Sequence, residues 1–214
     1  MQQDLSDHRR VYQKKELLES NVPENPMELF RTWYSEAEQE ETGEANAMTV
    51  ATVSADGQPV SRVVLLKKYT WEGFIFYTNY NSQKGQHLAQ NPKACLSFHW
   101  QRTERQIIIT GTVEKIAPNL SDGYFESRPR GSRLGAIASD QSRPVDSREA
   151  LDARLEQVEA QYQTDEIPRP DWWGGYMLKP TMIEFWQGRP NRMHDRIRFT
   201  LQPDWDWKIE RIQP

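Results

Sequence analysis

The chain has 214 residues, enough to bury a sizeable core in one domain without disulfide staples. Its formal net charge of -4 argues against a nucleic-acid binder, and no apolar run approaches the roughly 18 residues of a membrane span. A single cysteine, Cys95, and a charged N-terminus without the apolar centre of a signal peptide predict a soluble protein of the reducing cytoplasm.

The first predicted elements are a polar N-terminal segment and a helix. Residues 4–19 predict either a polar helix or a mobile arm. Asn25 and Pro26 form an N-cap and a first helical residue, so we expect a helix from Pro26 towards Glu41. We therefore divide the chain into an N-terminal arm or lid over 1–25 and a single domain over 26–214.

Short strands and helices follow in an irregular order. We predict strands over 47–54, 59–68, 73–79, 93–100, 105–116, 172–179, 181–187, 195–201 and 205–212. We predict helices over 82–90, 119–127, 132–139 and 147–163, the last one amphipathic, and a linker over 165–171. This pattern indicates a mainly β protein, a β-barrel with peripheral helices. The GxGxxG and Walker motifs and a βαβ alternation are missing, which argues against a Rossmann or P-loop enzyme.

Basic residues recur in four short clusters, at 9–10, 62–68, 128–133 and 192–198. In a mildly acidic chain these clusters favour small anionic ligands over a polyanion, although any one cluster alone is typical of solvated surface. The four histidines are scattered, with no carboxylate at ligand spacing, so no metal site is predicted.

Arg62 and Lys67 bracket an apolar stretch, and their odd separation places them on opposite faces of an extended strand. Each charge then needs an anion or must reach water, because an unpaired buried charge is strongly unfavourable. Strand-end charges that reach solvent are the simpler interpretation of this segment by itself.

Two further segments have the chemistry of anion sites. Tyr77 and Thr78 end a strand, and Ser82 and Lys84 begin a helix, whose free N–H groups, dipole and ammonium group favour a phosphate. Helix caps are common, so this pattern alone is weak.

Tyr124 and Arg128 are four residues apart on a predicted helix, Pro129 biases Arg128 out of that helix, and Ser132 is placed to cap the next one. A phenol, a guanidinium and a capped helix start indicate an oxyanion site. The alternative is a helix connection whose polar groups satisfy only the backbone.

The last constellation follows Trp186. In an extended chain Arg192, His194 and Arg196 share one face, with Met193 and Asp195 on the other. Three cationic or protonatable groups in a row repel one another unless an anionic or electron-rich partner lies against them. We therefore interpret this segment as a ligand-facing edge.

Together these segments resemble the pyridoxine/pyridoxamine 5'-phosphate oxidase family. The most specific stretches of the resemblance are 62–67, Phe76 to Asn79, Glu104 to Gln106, Tyr124 to Arg130, Glu184 to Gly188 and Arg192 to Arg196. The resemblance implies an FMN-binding split β-barrel, and a homodimer with two FMN sites at the subunit interface. It also implies oxidation of pyridoxine and pyridoxamine 5'-phosphates by O2 to pyridoxal 5'-phosphate, with H2O2 and, from the amine, ammonia as further products.

The resemblance also assigns residues. The implied FMN contacts are Arg62, Val63, Val64, Leu65, Leu66, Lys67, Tyr77, Thr78, Gln83, Lys84, Gln106, Gln141, Ser142, Trp186 and Arg196. The implied substrate contacts are Arg9, Arg10, Val11, Tyr12, Lys67, Tyr124, Arg128, Ser132, Arg192, Met193 and His194. Among these, Arg192 and His194 are the implied catalytic groups over the pyridine ring, and residues 9–12 an implied lid.

Two positions depart from the family pattern. Gln83 stands where many relatives have an arginine, so we expect weaker FMN binding, and Met193 replaces a more usual leucine with little expected effect. Two alternatives stay open: another split-barrel flavoprotein, such as a flavin reductase, and a non-catalytic carrier of FMN or pyridoxal phosphate.

Overall fold

The computed structural model describes residues 4–6 and 11–214. Its helices are α1 Pro26–Glu40, α2 Gln83–Gln90, α3 Pro118–Ser127, α4 Arg130–Ala138 and α5 Arg148–Gln161. Its strands are β1 Ala47–Val53, β2 Pro59–Leu65, β3 Lys68–Tyr69, β4 Phe74–Asn79, β5 Lys93–Trp100, β6 Arg105–Lys115, β7 Trp173–Gln187, β8 Asp195–Leu201 and β9 Trp207–Arg211. Short 3-10 turns lie at Glu19–Asn21 and Pro190–Arg192.

The strands of the described residues form one sheet in the order β2-β1-β5-β6-β7-β4-β3, with β8 paired to β7 and β9 paired to β8. The chain divides into two compact units, each with more contacts within itself than to the other. The first comprises Met1–Thr49, Leu96–Thr110 and Pro180–Pro214, and the second comprises Val50–Cys95 and Gly111–Lys179. None of the described helices is long and apolar enough to cross a lipid bilayer.

The core of the first unit is aromatic. Helix α1 places Phe30 against Phe98, with ring centroids 5.5 Å apart, and Trp33 edge-on against Phe185, at 5.2 Å. All four side chains are almost fully buried. Such rings bury much apolar area and favour edge-on pairs, so α1 is fixed on the sheet by a few large contacts.

The core of the second unit lies under α3, α4 and α5. Phe125, Leu134, Ile167 and Trp173 are its buried members, and Tyr77 and Tyr124 pack against it. Because both tyrosines are only partly buried, this core presents phenol groups at its edge. That edge is where the candidate site is built.

Most predicted elements are confirmed within a few residues. The Asn25 side chain caps α1 by accepting from the Met27 N–H, and Ser82 caps α2 by accepting from the Gly85 N–H. The prediction of one domain with an arm stays a prediction, although residues 11–18 form no helix. Helix α5 was expected to be amphipathic, and Leu155 and Val158 on one of its faces pack against the core of the second unit, although none of its side chains is fully buried.

Two strand predictions were wrong. The strand expected over 59–68 breaks after Leu65, since Leu66 and Lys67 leave the ladder before β3 begins. Conversely, β7 runs without interruption through Pro180. Residues 173–178 of β7 pair with β4 and residues 182–187 pair with β8, so Pro180 falls between these two ladders, where its missing N–H does least harm.

Candidate active site

A cavity of about 600 Å³ opens in the second unit, within the usual range for small-molecule sites. Its lining includes the cations Arg62, Lys67, Lys84 and Arg128, and none of the described residues that line it carries a carboxylate. A chain with a net charge of -4 thus concentrates four positive groups around one space. Such a lining attracts anions and disfavours a neutral apolar ligand.

Lys84 is the most deeply buried of these cations, with 5% of its surface exposed. Its ammonium group donates to the hydroxyls of Thr78, at 3.0 Å, and Ser82, at 3.4 Å, and forms no ion pair among the described residues. Burial, reinforced by the nearby Arg62, lowers the pKa of Lys84 to about 8. A buried ammonium held by hydroxyls alone is a receptor for an anion.

Thr78 extends this contact to the loop after α4. It accepts from Lys84 and donates to the Gln141 side-chain oxygen at 3.1 Å, and the Asn79 N–H also points to that oxygen, at 3.4 Å. Gln141 is thereby fixed at the cavity wall, beside Ser142. Ser142 has a φ of 73°, a left-handed conformation that few non-glycine residues adopt.

Arg62 is fixed on one side only. Its Nη1 donates to Thr52 Oγ1 at 2.7 Å and to the Val60 and Val50 carbonyls at 2.9 and 3.4 Å. Nη2 reaches Gln83 Oε1 at 3.5 Å, a long contact. The remaining donor edge of the guanidinium is left for a ligand.

Arg128 lines the same cavity and stands on an aromatic platform. Its guanidinium carbon lies 4.7 Å from the centre of the Trp173 ring, a cation–π contact. Its Nη1 is buried and has no hydrogen-bond partner among the residues that the structure describes, and burial lowers the pKa of Arg128. A buried, unpaired donor is unfavourable unless a ligand completes it.

Tyr124 and Tyr77 extend the same platform. Their rings stack with centroids 3.8 Å apart. The Tyr124 ring is also nearly parallel to that of Trp173, with an interplanar angle of 5° and a centroid distance of 6.2 Å. Burial raises the pKa of both phenols, so they stay protonated and can donate to an anion at neutral pH.

A second cluster lies in the first unit, around His194. The His194 ring is 4.7 Å from Trp186 and 5.8 Å from Tyr12, and Tyr12 meets Trp186 edge-on at 5.6 Å. A Cβ on Gly188 would come within 2.7 Å of the Tyr12 ring, so only glycine permits this approach. His194 Nδ1 accepts from the Arg189 N–H at 3.0 Å, which leaves the ring hydrogen of a neutral imidazole on Nε2.

Comparison with known proteins then identifies the family. The family model described as "Pyridoxamine 5'-phosphate oxidase" matches residues 34–162, and that described as "Pyridoxine 5'-phosphate oxidase C-terminal dimerisation region" matches residues 173–214. The chain belongs to the pyridoxamine 5'-phosphate oxidase family.

Similar proteins agree with this assignment. A Flavobacterium psychrophilum protein named pyridoxine/pyridoxamine 5'-phosphate oxidase is 58% identical over 214 residues, covering 99% of each chain. The structure of PhzG from Burkholderia lata 383 with tetrahydrophenazine-1-carboxylic acid has a TM-score of 0.85 at 31% identity, covering 91% of this chain and 95% of that one. A pyridoxamine 5'-phosphate oxidase-related, FMN-binding protein from Nostoc punctiforme has a TM-score of 0.70 at 18% identity, covering 86% and 97%, and supports the fold alone. The predicted split β-barrel with peripheral helices is thus confirmed.

Within this oxidase family fold, most residues predicted from the second unit meet in the cavity. Those that line it are Arg62, Val63, Val64, Leu65, Lys67, Tyr77, Thr78, Gln83, Lys84, Tyr124, Arg128, Gln141 and Ser142. Two of the predicted residues do not line it: Leu66, which is buried at 4% exposure, and Ser132, which is exposed. Val60, Ser61 and Trp173 were not predicted, and Trp173 had no local signal because strand pairing, not spacing, brings it to the site.

Two expectations about the second unit need correction. Arg62 and Lys67 were expected on opposite faces of one strand, but the strand ends at Leu65, so its alternation does not reach Lys67, and both residues line the cavity. Ser132 was expected to cap α4; Pro129 is the N-cap instead, and Ser132 lies in the first turn, where its N–H donates to the Pro129 carbonyl.

The predicted ligand-facing edge of the oxidase was wrong in its geometry. Arg192 does not continue a strand: Pro190–Arg192 form a 3-10 turn, in which Arg192 has a φ of 60°. The regular alternation of β8 starts only at Asp195. Met193 is exposed, and Arg196 is paired with Glu184 at 2.8 Å, opposite Trp186 in the ladder.

The remaining predicted residues also lie in the first unit. Gln106 is a half-buried residue of β6, and Val11 is exposed. Arg9 and Arg10 lie outside the described residues. The N-terminal arm is hydrogen-bonded to the rest of the unit at Gln13 and Lys14, whose N–H groups both donate to Glu104 Oε2, at 2.9 and 3.1 Å.

Proposed function

We propose that this chain is a flavoenzyme that oxidises pyridoxine 5'-phosphate and pyridoxamine 5'-phosphate with O2 to pyridoxal 5'-phosphate, as a cytoplasmic homodimer. The names of its relatives and its match to a dimerisation region support this activity and assembly. The lone free Cys95 is in keeping with a reducing compartment.

The observation that carries the proposal is that one cavity is lined by two groups of cations with different neighbours. Arg62 lies close enough to the buried Lys84 to help lower its pKa, whereas Arg128 stands on the Trp173 ring with a buried Nη1 that no described residue completes. Each group offers charge-assisted donors to an oxyanion. An FMN-dependent oxidation of a phosphorylated pyridine requires two phosphate sites, one for the cofactor and one for the substrate.

The residues present fit FMN. Lys84, held only by hydroxyls, and the open donor edge of Arg62 would receive its phosphate, and Gln141 and Ser142 would line its bed. When bound, FMN would supply the redox chemistry, which is the oxidation of the substrate at C4' with O2 as the final electron acceptor. The protein contributes binding, orientation and charge.

Lys67, Tyr124, Arg128 and Ser132 would hold the substrate phosphate. The phosphate that would complete the unpartnered Nη1 of Arg128 is carried on C5', a part of the substrate that does not react. The binding energy of the phosphate then holds the pyridine ring in position for oxidation. It therefore increases the rate of the reaction and does not only tighten substrate binding. The Tyr77–Tyr124 stack keeps the phenol donors in place.

His194 and Arg192 would orient the pyridine, at sites that the two subunits form jointly. Burial and the neighbouring Arg192 lower the pKa of His194, so the ring is neutral at pH 7. Since Nδ1 is occupied by the Arg189 N–H, the ring acts through Nε2 as a hydrogen-bond donor. His194 therefore orients the substrate and is not a base.

An aerobic assay separates this proposal from its alternatives. Purified protein, FMN and pyridoxamine 5'-phosphate in air should yield aldehyde and peroxide in equal amounts. A carrier would bind FMN without producing either, and a flavin reductase would consume a nicotinamide donor instead. A protein acting on carboxylated heterocycles, like the one bound to PhzG, would leave the phosphorylated substrate unchanged and would contradict the proposal.

The departure at Gln83 leads to a first prediction. Gln83→Arg adds a cation beside Arg62 and Lys84, so we expect FMN to bind about tenfold more tightly at low salt, with the gain shrinking as salt rises. Titration of the apoprotein by quenching of flavin fluorescence measures this. Gln83→Met, which adds no charge, is the control. Equal affinities for wild type and Gln83→Arg would mean that the flavin phosphate lies elsewhere.

The proposed role of Arg192 leads to a second prediction. Arg192→Ala should lower kcat by about a hundredfold while leaving the dissociation constant of FMN within about twofold, because an orienting contact to the substrate is lost. Steady-state kinetics and flavin titration on the same preparation measure both. Arg148→Ala, the same change at an exposed arginine of α5 that is not assigned to the site, is the control. Loss of flavin from Arg192→Ala would move Arg192 into the cofactor site.

A further inference from the structure

Thr52 is a polar residue at a position where the strand pattern of β1 calls for an apolar one. Its side chain is fully buried, on the same face as the buried Met48 and Val50. Valine has the same shape and would bury there without a hydroxyl to satisfy. A hydroxyl in such a place must be hydrogen-bonded to be tolerated.

That hydroxyl joins two groups. Its Oγ1 lies 2.7 Å from Nη1 of Arg62 and 3.1 Å from Nδ1 of the buried His87. Arginine can only donate, so the Thr52 oxygen accepts from Arg62, and its own hydrogen is free to point at His87. The His87 ring then accepts at Nδ1 and fixes the rotation of the hydroxyl.

The direction of these bonds matters for the cofactor. Nη1 of Arg62 is fully used by Thr52 and two strand carbonyls, so the guanidinium cannot turn about its bond to present a different edge. The only other hydrogen bond from this guanidinium to the described residues is the long one to Gln83, at 3.5 Å. A donor that is held in its bound orientation loses less freedom when the ligand arrives, and it binds more tightly for that reason.

We infer that Thr52 and His87 are positioning residues for FMN, acting through Arg62. The inference rests on the proposed function, because it assumes that Arg62 meets the flavin phosphate. Neither residue lines the cavity, so neither acts by direct contact. They form a chain from the cavity wall into the interior, in the order Arg62, Thr52, His87.

The test is the affinity of the apoprotein for FMN, measured by quenching of flavin fluorescence. Thr52→Val should raise the dissociation constant about tenfold, or about 1.4 kcal/mol. Thr52→Ser, which keeps the hydroxyl, should stay within about twofold of wild type. At saturating FMN, kcat and the KM for pyridoxamine 5'-phosphate should not change, since the substrate end is untouched.

Two further comparisons separate positioning from general damage. Thr49→Val makes the same change on the opposite face of β1 and should bind FMN like wild type. His87→Asn keeps an acceptor near the position of Nδ1, whereas His87→Leu removes it, so only the second should weaken FMN binding, about fivefold. If Thr52→Val does not fold, this pair alone decides the question, and equal affinities in the two variants would then overturn the whole inference.

Wild-type affinity in Thr52→Val, or equal losses in Thr52→Val and Thr52→Ser, would overturn the inference. Equal affinities in His87→Asn and His87→Leu would remove His87 from it. Failure of the wild-type protein to take up FMN is a different result, because it would overturn the proposed function and this inference with it.

Discussion

Replacing Arg128 by alanine should raise the KM for pyridoxamine 5'-phosphate at least a hundredfold, with a much smaller effect on FMN binding. The guanidinium stands over Trp173 with a buried Nη1 that no described residue completes. The substrate phosphate would supply that missing partner. Removing a charge-assisted hydrogen bond and leaving the phosphate charge uncompensated costs about 3 kcal/mol, equivalent to about a hundredfold.

Steady-state kinetics with two substrates check this prediction. Arg128→Lys keeps the charge but loses the flat ring contact and the fork of donors, so it should recover only part of the affinity. Pyridoxamine without its phosphate serves as the substrate control, and wild type and Arg128→Ala should oxidise it equally poorly. A KM for the phosphorylated substrate that does not change in Arg128→Ala would remove Arg128 from the phosphate site.

Replacing Lys84 by methionine should weaken FMN binding by two orders of magnitude or more and abolish its pH dependence between pH 7 and 9. In the wild-type apoprotein the pKa of Lys84 is lowered to about 8, mainly by burial. The flavin phosphate is already dianionic at these pH values, since its second pKa is about 6. FMN affinity should therefore fall as pH rises through about 8, when the ammonium group loses its proton.

Stability should change with the opposite sign. Because the folded pKa of Lys84 lies below its unfolded value of 10.5, the unfolded apoprotein binds more protons between about pH 8 and 10.5. The contribution of Lys84 therefore makes the apoprotein more stable as pH rises through that window, and Lys84→Met should lack this contribution. Thermal unfolding of both proteins across the window measures it. A pH-independent FMN affinity in wild type would contradict the role of Lys84.

Many residues of the site could be predicted from the sequence, because the features that make them bind anions depend on residues close by in the chain. The cap at Ser82, the ammonium of Lys84 and the bend imposed on Arg128 by Pro129 depend on neighbours within a few positions. Short-range rules predict such features well. The cavity then gathers Arg62, Lys84 and Arg128, which the sequence had separated by up to 66 positions.

What the sequence did not predict depends on pairing across the sheet. Trp173 reaches the cavity because β7 pairs with β4, in a register that sets Thr78 opposite Gly174 and Tyr77 opposite Gly175. Nothing in the sequence around Thr52 indicates a role in the site, and only its contacts with Arg62 and His87 in the fold suggest one. The strand break that we predicted at Pro180 was wrong for the same reason. Only the strand pairing shows that Pro180 lies between the β4 ladder and the β8 ladder, where a residue without an N–H is tolerated.

The central claim is that one cavity holds both a flavin and a phosphorylated pyridine, each bound through its phosphate to a different group of cations. An anaerobic titration tests it most directly: wild-type protein loaded with FMN is mixed with pyridoxine 5'-phosphate in the absence of O2. We predict that the yellow flavin colour bleaches with one aldehyde formed per flavin, and that it returns with one peroxide per aldehyde when air is admitted. A loaded protein that keeps its colour under excess substrate would contradict the account.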